Sequence, residues 1–224
     1  MRRIIAIAFC WVLLQNSLFS QSSALFIGTD IPLFYTAGFQ QQLSGNFSLD
    51  GRAGLLTKPY DVAVLNILKA FDTDELLVNT IGEAFDFGLN IQGVLNWHFN
   101  RYYLGVTYSY LMLKAKDRPL DVLQNYYGIN LINWGTREMT VRSDLHNAGL
   151  LFGRSFVFKD PAFAVNLEFS VLKTFSSTSY VTNSDGDNQE ILSKAVDKKL
   201  NPYYMKYGIL PSVNAHFVYT FKKK

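Results

Sequence analysis

The sequence predicts an all-β fold: an eight-stranded, antiparallel, up-and-down transmembrane β-barrel with helical inserts in its outward-facing loops. Three observations predict it. The end of the chain alternates, with Val213, Ala215, Phe217, Tyr219 and Phe221 on one face and Ser212, Asn214, His216, Val218 and Thr220 on the other. That is the two-residue period of a strand, and its apolar face ends in aromatics. The chain also opens on an export-type leader and then has no apolar run long enough for a spanning helix. An exported chain that enters a membrane without such helices does so as a closed barrel, which leaves no backbone unpaired in lipid. Finally, the connections between strands alternate short and long, as barrel turns and loops do.

The leader is Met1-Arg2-Arg3 followed by an apolar run from Ile4 to Leu14, with small residues nearby. A short basic region, a run of that length and small residues read as a secretory signal peptide over 1–20, cleaved between 20 and 23. Residues 21–224 are then one barrel domain. Cys10 is the only cysteine and lies in the leader, so a disulfide framework and thiolate chemistry are excluded from the mature chain, and no cofactor or metal site is expected. Loss of Arg2 and Arg3 takes the formal charge from +3 to +1, which leaves no basic field for nucleic acid. Aromatics make up 15% of the chain, with 13 Tyr and 18 Phe, a level suited to the aromatic girdles at two membrane interfaces.

The elements follow in order. A weak first strand spans Ser23 to Gly28, and Thr29-Asp30-Ile31-Pro32 turns it. The second runs from Leu33 to Gln42 and the third from Phe47 to Thr57, with Leu43-Ser44-Gly45-Asn46 as the turn between them. From Lys58 to Thr80 the apolar period becomes helical, through Val62, Leu65, Leu68, Phe71 and Leu76. The fourth strand is the clearest: Phe85, Phe87, Leu89, Ile91, Leu95, Trp97 and Phe99 alternate with Asp86, Asn90, Gln92, Asn96 and His98. Asn100-Arg101 turns the chain into the fifth strand, Tyr102 to Lys114. Lys116 to Glu138 is a long loop with Tyr126, Tyr127 and Trp134. The sixth strand covers Met139 to Phe158, and Arg154 interrupts its apolar face, so a bulge is expected there. After Lys159-Asp160-Pro161 the seventh strand turns Phe163, Val165, Leu167, Phe169 and Val171 outward. Ser176 to Tyr203 reads as a third long segment with a helix over Glu190 to Leu200. The eighth strand starts near Tyr204.

With this count, connections two, four and six are short and face the periplasm, while three, five and seven are long. The pattern requires the weak first strand. A ten-strand version, with a hairpin inside 126–134, is the alternative count.

Eight strands enclose an interior about wide enough for side chains to fill. The inward polar set is Asp50, Arg52, Asp86, Asn90, Gln92, Asn96, His98, Asn166, Glu168, Asn214 and His216, joined by Arg142, Asp144 and His146 if the sixth strand's register allows. Such groups must pair with one another or with water when buried. The outward aromatic girdle is Phe85, Phe87, Trp97, Phe99, Tyr102, Tyr108, Tyr110 and Phe163.

The stretches Tyr207 to Asn214, Phe217 to Phe221 and Gly54-Leu55-Leu56-Thr57-Lys58-Pro59-Tyr60 resemble those of small outer-membrane β-barrel proteins of Gram-negative bacteria, with a Bacteroidota character. The resemblance implies that the closing aromatics Phe217, Tyr219 and Phe221 are the signal read by the barrel-assembly machinery. The family pattern ends on the aromatic; here Lys222 to Lys224 follow it.

The expected role is structural or interaction-based: a monomeric outer-membrane scaffold with a packed polar lumen and no open pore. Its partners would be outer-membrane lipid, the assembly machinery and a candidate extracellular ligand of the long loops. The alternatives are a lipid or peptide hydrolase, a narrow channel for ions or a small hydrophobic ligand, and a soluble lipocalin-like barrel. The hydrolase requires His146 and an acid to converge in the outer half of the lumen. The channel requires an open path past Arg52, Asn90, Gln92 and Glu168.

Overall fold

The computed structural model describes residues 22–43, 45–58, 62, 66, 85–118, 139–183 and 185–221. The expected leader over 1–20, most of the helical-pattern segment 58–80, the aromatic loop residues 119–138 and the lysine tail 222–224 lie outside the described residues.

The described chain forms β1 (Ser23–Ile31), β2 (Phe34–Gln42), β3 (Phe47–Leu56), β4 (Phe85–Phe99), β5 (Tyr102–Arg118), β6 (Met139–Val157), β7 (Phe163–Asn183) and β8 (Ile209–Thr220), with one helix, α1 (Glu190–Tyr207), between β7 and β8. Each strand pairs antiparallel with the next, and β8 closes on β1 from Ala24↔Thr220 to Ile31↔Val213. The barrel therefore has no free edge to pair with another chain. Eight strands, rather than ten, close it among the described residues.

Burial follows strand parity. On β3, Ser48, Asp50, Arg52, Gly54 and Leu56 are buried while Phe47, Leu49, Gly51, Ala53 and Leu55 are exposed. The wall is thus apolar outside and largely polar inside, the inverse of a soluble barrel. Short turns at 43–46, 100–101 and 158–162 define one end. Gly45 and Asn100 take left-handed φ values of 56° and 60° there, a conformation in which Gly and Asn are favoured. The other end carries the long connections and α1.

Several boundaries differ from the sequence reading. Asp30 belongs to β1 rather than to a turn; the chain turns at Pro32-Leu33, where the Leu33 N–H donates to the Asp30 carbonyl at 2.6 Å. β7 continues through Ser176 to Asn183 instead of becoming a loop, because this Ser/Thr run pairs with the upper half of β6 as far as Met139↔Asn183. α1 runs on to Tyr207, so β8 starts at Ile209 and not near Tyr204. Pro202 is tolerated inside α1 because it and Lys198, whose carbonyl it deprives of a partner, both face solvent.

The bulge expected at Arg154 is elsewhere. The β6–β7 register jumps from His146↔Ser176 to Asn147↔Thr174, so Phe175 is the extra residue. Phe175 and Ser176 are consecutively exposed, and the inward parity of β7 resumes at Ser177. Arg154 stays on the outer wall in regular register. Its guanidinium lies over the Tyr102 and Phe156 rings, at 5.1 and 4.8 Å, which gives the charge a partner without a kink.

Candidate functional site: a filled lumen and its apolar seals

The lumen is built in layers by the inward residues of all eight strands. At mid-height β3 delivers Asp50 and Arg52 two residues apart on one face, and β7 delivers Glu168 from across the barrel. Arg52 Nη1 donates to Glu168 Oε2 at 2.6 Å, and Nη2 donates to Glu168 Oε1 and Asp50 Oδ2, both at 2.9 Å. The guanidinium fork is thus shared between two carboxylates, and its carbon lies 5.4 Å from the Phe26 ring centroid. Glu168 also accepts from the Tyr103 hydroxyl at 2.8 Å and from Asn214 Nδ2 at 3.1 Å. Asp50 also accepts from Asn96 Nδ2 at 2.8 Å and Gln40 Nε2 at 3.0 Å.

β1 and β8 add the third carboxylate. His216 Nε2 is 2.8 Å from Asp30 Oδ1, and its Nδ1 is 3.8 Å from Glu168 Oε2. Thr36 donates to the second Asp30 oxygen at 2.8 Å. Asp30, Asp50, Arg52, Glu168 and His216 are all 3% exposed or less. Burying such ions costs several kcal/mol each, and a network this dense in donors offsets that cost.

Elsewhere in the stack, Ser109 donates to Asn90 at 2.6 Å and Thr174 to Asn147 at 2.7 Å. Ser212 donates to Asn214 at 2.7 Å. Apolar clusters, the seals, lie at both ends of the polar stack. Ala24, Phe26, Ala164 and Val218 cluster toward the short turns. Leu33, Phe34, Leu56, Leu111 and Leu145 cluster toward the long loops, with Tyr204 of α1 packed against them. The Tyr204 hydroxyl donates to Ser143 Oγ at 3.2 Å, and burial lifts this phenol's pKa above the usual tyrosine value. Over this seal, Leu192 and Val196 of α1 pack on Met139 and Val181.

Of the expected inward set, Asp50, Arg52, Asn90, Asn96, Glu168, Asn214 and His216 are buried in the lumen, and Gln92, His98 and Asn166 are half-buried on the inward face. His98 bonds Ser48 at 2.8 Å, and Asn166 accepts from Ser155 at 2.7 Å. The Asp86 side chain lies outside the described residues. Arg142, Asp144 and His146 do not join the lumen. The β5–β6 register sets His146 opposite Tyr110, both on the outer wall, and turns Ser143, Leu145 and Asn147 inward. His146 accordingly packs on Tyr108, Tyr110 and Phe175 outside the barrel, with Nδ1 2.7 Å from the Tyr108 hydroxyl. Arg142 pairs with Asp144 at 2.8 Å there. The Ser143, Asp144 and His146 constellation is therefore split across the wall, and the hydrolase reading built on His146 loses its geometry. His216 offers no substitute, since both ring nitrogens face carboxylates and no hydroxyl nucleophile meets it among the described residues.

Asp30, Tyr103, Thr36, Gln40 and Asn147 belong to the network but were not among the residues expected from sequence. Tyr103 was available from parity, as the neighbour of outward Leu104. Asp30 was hidden by its place before Ile31-Pro32, which reads as a turn.

On the outer wall, Trp97, Phe99, Tyr102 and Phe152 form a row of ring contacts with centroids 5.5 to 6.1 Å apart. Phe163 meets Phe217 and Tyr219 at 5.7 and 5.2 Å, and Tyr219 meets Phe221 at 5.5 Å. All of these lie near the short turns. Tyr108 and Tyr110 lie higher on β5, and Phe87 is half-buried; the Phe85 side chain is outside the described residues.

No protein-family model matches the chain, and no curated protein matches it. Among solved structures, a major outer membrane protein from Thermus thermophilus is similar at 11% identity and a TM-score of 0.49, over 90% of this chain and 100% of that one. Acinetobacter baumannii CarO is similar at 14% identity and a TM-score of 0.39, over 92% of this chain and 100% of that one. CarO2 from the same organism shows 12% identity and a TM-score of 0.34, over 90% of this chain and 98% of that one. The fold assignment rests on the strand pairing, not on these likenesses.

The lumen groups cross-link the strands that carry them. Most of their donors and acceptors are spent on one another. Arg52 Nε, Asn96 Oδ1, Thr107 Oγ1 and Ser177 Oγ are buried without a hydrogen-bond partner among the described residues. Apolar clusters lie at the two ends of the lumen. Among the described residues no cluster of His, Cys, Asp and Glu is arranged to hold a metal ion.

Proposed function

We propose that the protein is an outer-membrane β-barrel of a Gram-negative envelope, acting as a rigid, non-conducting scaffold that presents its long loops at the cell surface. The observation that carries this reading is the inverted polarity of the wall. Outward Leu25, Leu49, Leu95, Leu104, Leu150 and Phe169 are between 46% and 68% exposed, while inward Arg52, Asp50 and Glu168 are 3% exposed. Water would not stabilise such a surface, whereas hydrocarbon would.

The dimensions agree. From Tyr102 to Tyr110, β5 rises ~27 Å along the strand, or ~21 Å along the barrel axis at a tilt of ~40°, close to the ~25 Å apolar band of such barrels. In this reading the aromatic row near the short turns marks the periplasmic interface, and Phe217, Tyr219 and Phe221 form the closing-strand signal for the assembly machinery. The filled lumen favours a scaffold over a channel. The ligand of the loops is an extracellular molecule met through 58–80, 116–138 and α1.

The test is cell fractionation followed by electrophoresis of unheated and heated samples. Recovery with outer membrane and a heat-dependent shift in migration are expected. Recovery in the soluble periplasmic fraction with no shift would overturn the reading. Planar-bilayer recordings should show no stepwise conductance, and reproducible steps would overturn the non-conducting part alone.

A further inference from the structure

Apart from Tyr204, the C-terminal half of α1 is largely exposed. α1 carries Lys194, Lys198, Lys199 and Lys206 against Glu190 and Asp197. The two acids are already engaged at other tasks: Glu190 binds Lys194 at 2.6 Å, and Asp197 accepts the Ser179 backbone N–H at 2.7 Å. Lys198, Lys199 and Lys206 are exposed and meet no acid among the described residues. Tyr203 and Tyr207 stack at 6.1 Å on the same half and are 51% and 59% exposed. Lys206 lies 4.9 Å above the Tyr207 ring, and its carbonyl accepts from Lys173 of β7 at 3.0 Å. Val196, Leu200 and Tyr204 hold α1 on the barrel, and Lys199, Tyr203 and Lys206 recur at three- and four-residue steps along one exposed stripe.

The height of this half is set by the chain. α1 ends two residues before Ile209, the outward first residue of β8, which pairs with Lys173. Ile209 stands ten residues above Tyr219, or ~26 Å along the axis, which is the full height of an apolar band. Lysines and tyrosines at that level meet lipid headgroups: tyrosine rings occupy the interface and lysines are drawn to anionic charge.

We propose that the C-terminal half of α1, with Lys173, is an interfacial clamp for the anionic lipid headgroups of the outer leaflet. This rests on the membrane reading above. The clamp would hold α1 down over the Leu33, Phe34 and Leu145 seal, coupling the lipid surface to closure of the barrel.

The test uses the full chain with Cys10→Ser and Met205→Cys, labelled at the new thiol with a polarity-sensitive fluorophore. It is folded into phosphatidylcholine vesicles with and without phosphatidylglycerol. The emission is expected to shift to the blue when phosphatidylglycerol is present, and the shift to weaken as salt is raised. Lys198→Gln/Lys199→Gln/Lys206→Gln should abolish the dependence on phosphatidylglycerol, at about fivefold in affinity per lysine. A heat-dependent gel shift in every sample, with emission that ignores lipid charge, would overturn the clamp and leave the barrel standing. No heat shift in either lipid would overturn both.

Discussion

Arg52 shows how a single side chain is made indispensable by its neighbours. Its guanidinium bridges Asp50 and Glu168, and the whole group is almost out of water. Arg52→Met leaves two buried carboxylates without it, so the barrel should lose about 3–5 kcal/mol of stability, the cost of orphaning a buried charge. Urea unfolding, followed by the heat-dependent gel shift, measures this. The Arg52→Gln/Glu168→Gln double variant should lose less than its two singles combined, by about 0.5–3 kcal/mol, because both singles remove the same bond. Strict additivity would show that the two residues act separately. Gly153 makes the companion case on the same network. A Cβ there would overlap the Tyr103 ring, which has no room to yield while its hydroxyl stays on Glu168. Gly153→Ala is expected to cost about 1–3 kcal/mol by overpacking, and the same loss in a Tyr103→Leu background would show that the ring was not at fault. Parity along β5 made Tyr103 legible in the sequence. Asp30 was not, because its partner His216 lies 186 residues away and only barrel closure brings them together.

The elements differ in how far they could be read, and the reason is contrast. β4 keeps an apolar and polar alternation over its 15 residues, so its limits were legible. The upper part of β7, Ser176 to Asn183, is mostly Ser and Thr, which carry no such contrast and equally suit a loop. What makes it a strand is supplied from outside: β6 pairs with it, and α1 covers Ser177, Ser179 and Val181. The bulge at Phe175 is needed for this, since unbroken alternation past Thr174 would turn those three outward. α1 was recognisable from its apolar spacing but not its length, because Pro202 reads as a stop and only Tyr204, seated in the upper seal, draws the helix onward. The attachment of α1 depends on few apolar groups, so it can be released without unfolding the barrel. Val196→Asp places a charge among Leu192, Met139 and Val181. Limited proteolysis should then cut within 184–208, where the parent resists, while the heat-dependent gel shift persists. Cleavage at equal rates in both proteins would show that this cluster does not hold the helix.

At the scale of the whole molecule, area and position together point to a membrane. Single exposed apolar residues are ordinary on any protein, but here they recur on the outward face of all eight strands, bounded near the short turns by aromatic rings. A position on this wall therefore has a depth, and depth can be measured. Trp97 is outward, 48% exposed and three residues before the β4–β5 turn, beside Phe99. The chain has two other tryptophans, Trp11 and Trp134, so Trp11→Phe/Trp134→Phe leaves Trp97 as the sole reporter. Folded into vesicles, its fluorescence should be quenched by lipids brominated on the acyl chain. Bromines close to the headgroup should quench more than bromines near the bilayer centre, since the ring belongs to an interfacial row. Stronger quenching from the centre would move the band toward the short turns and displace the long-loop interface from Tyr110 and Ile209. Quenching by none of the brominated lipids would place this face of β4 in water, and the wall's polarity would then need another explanation.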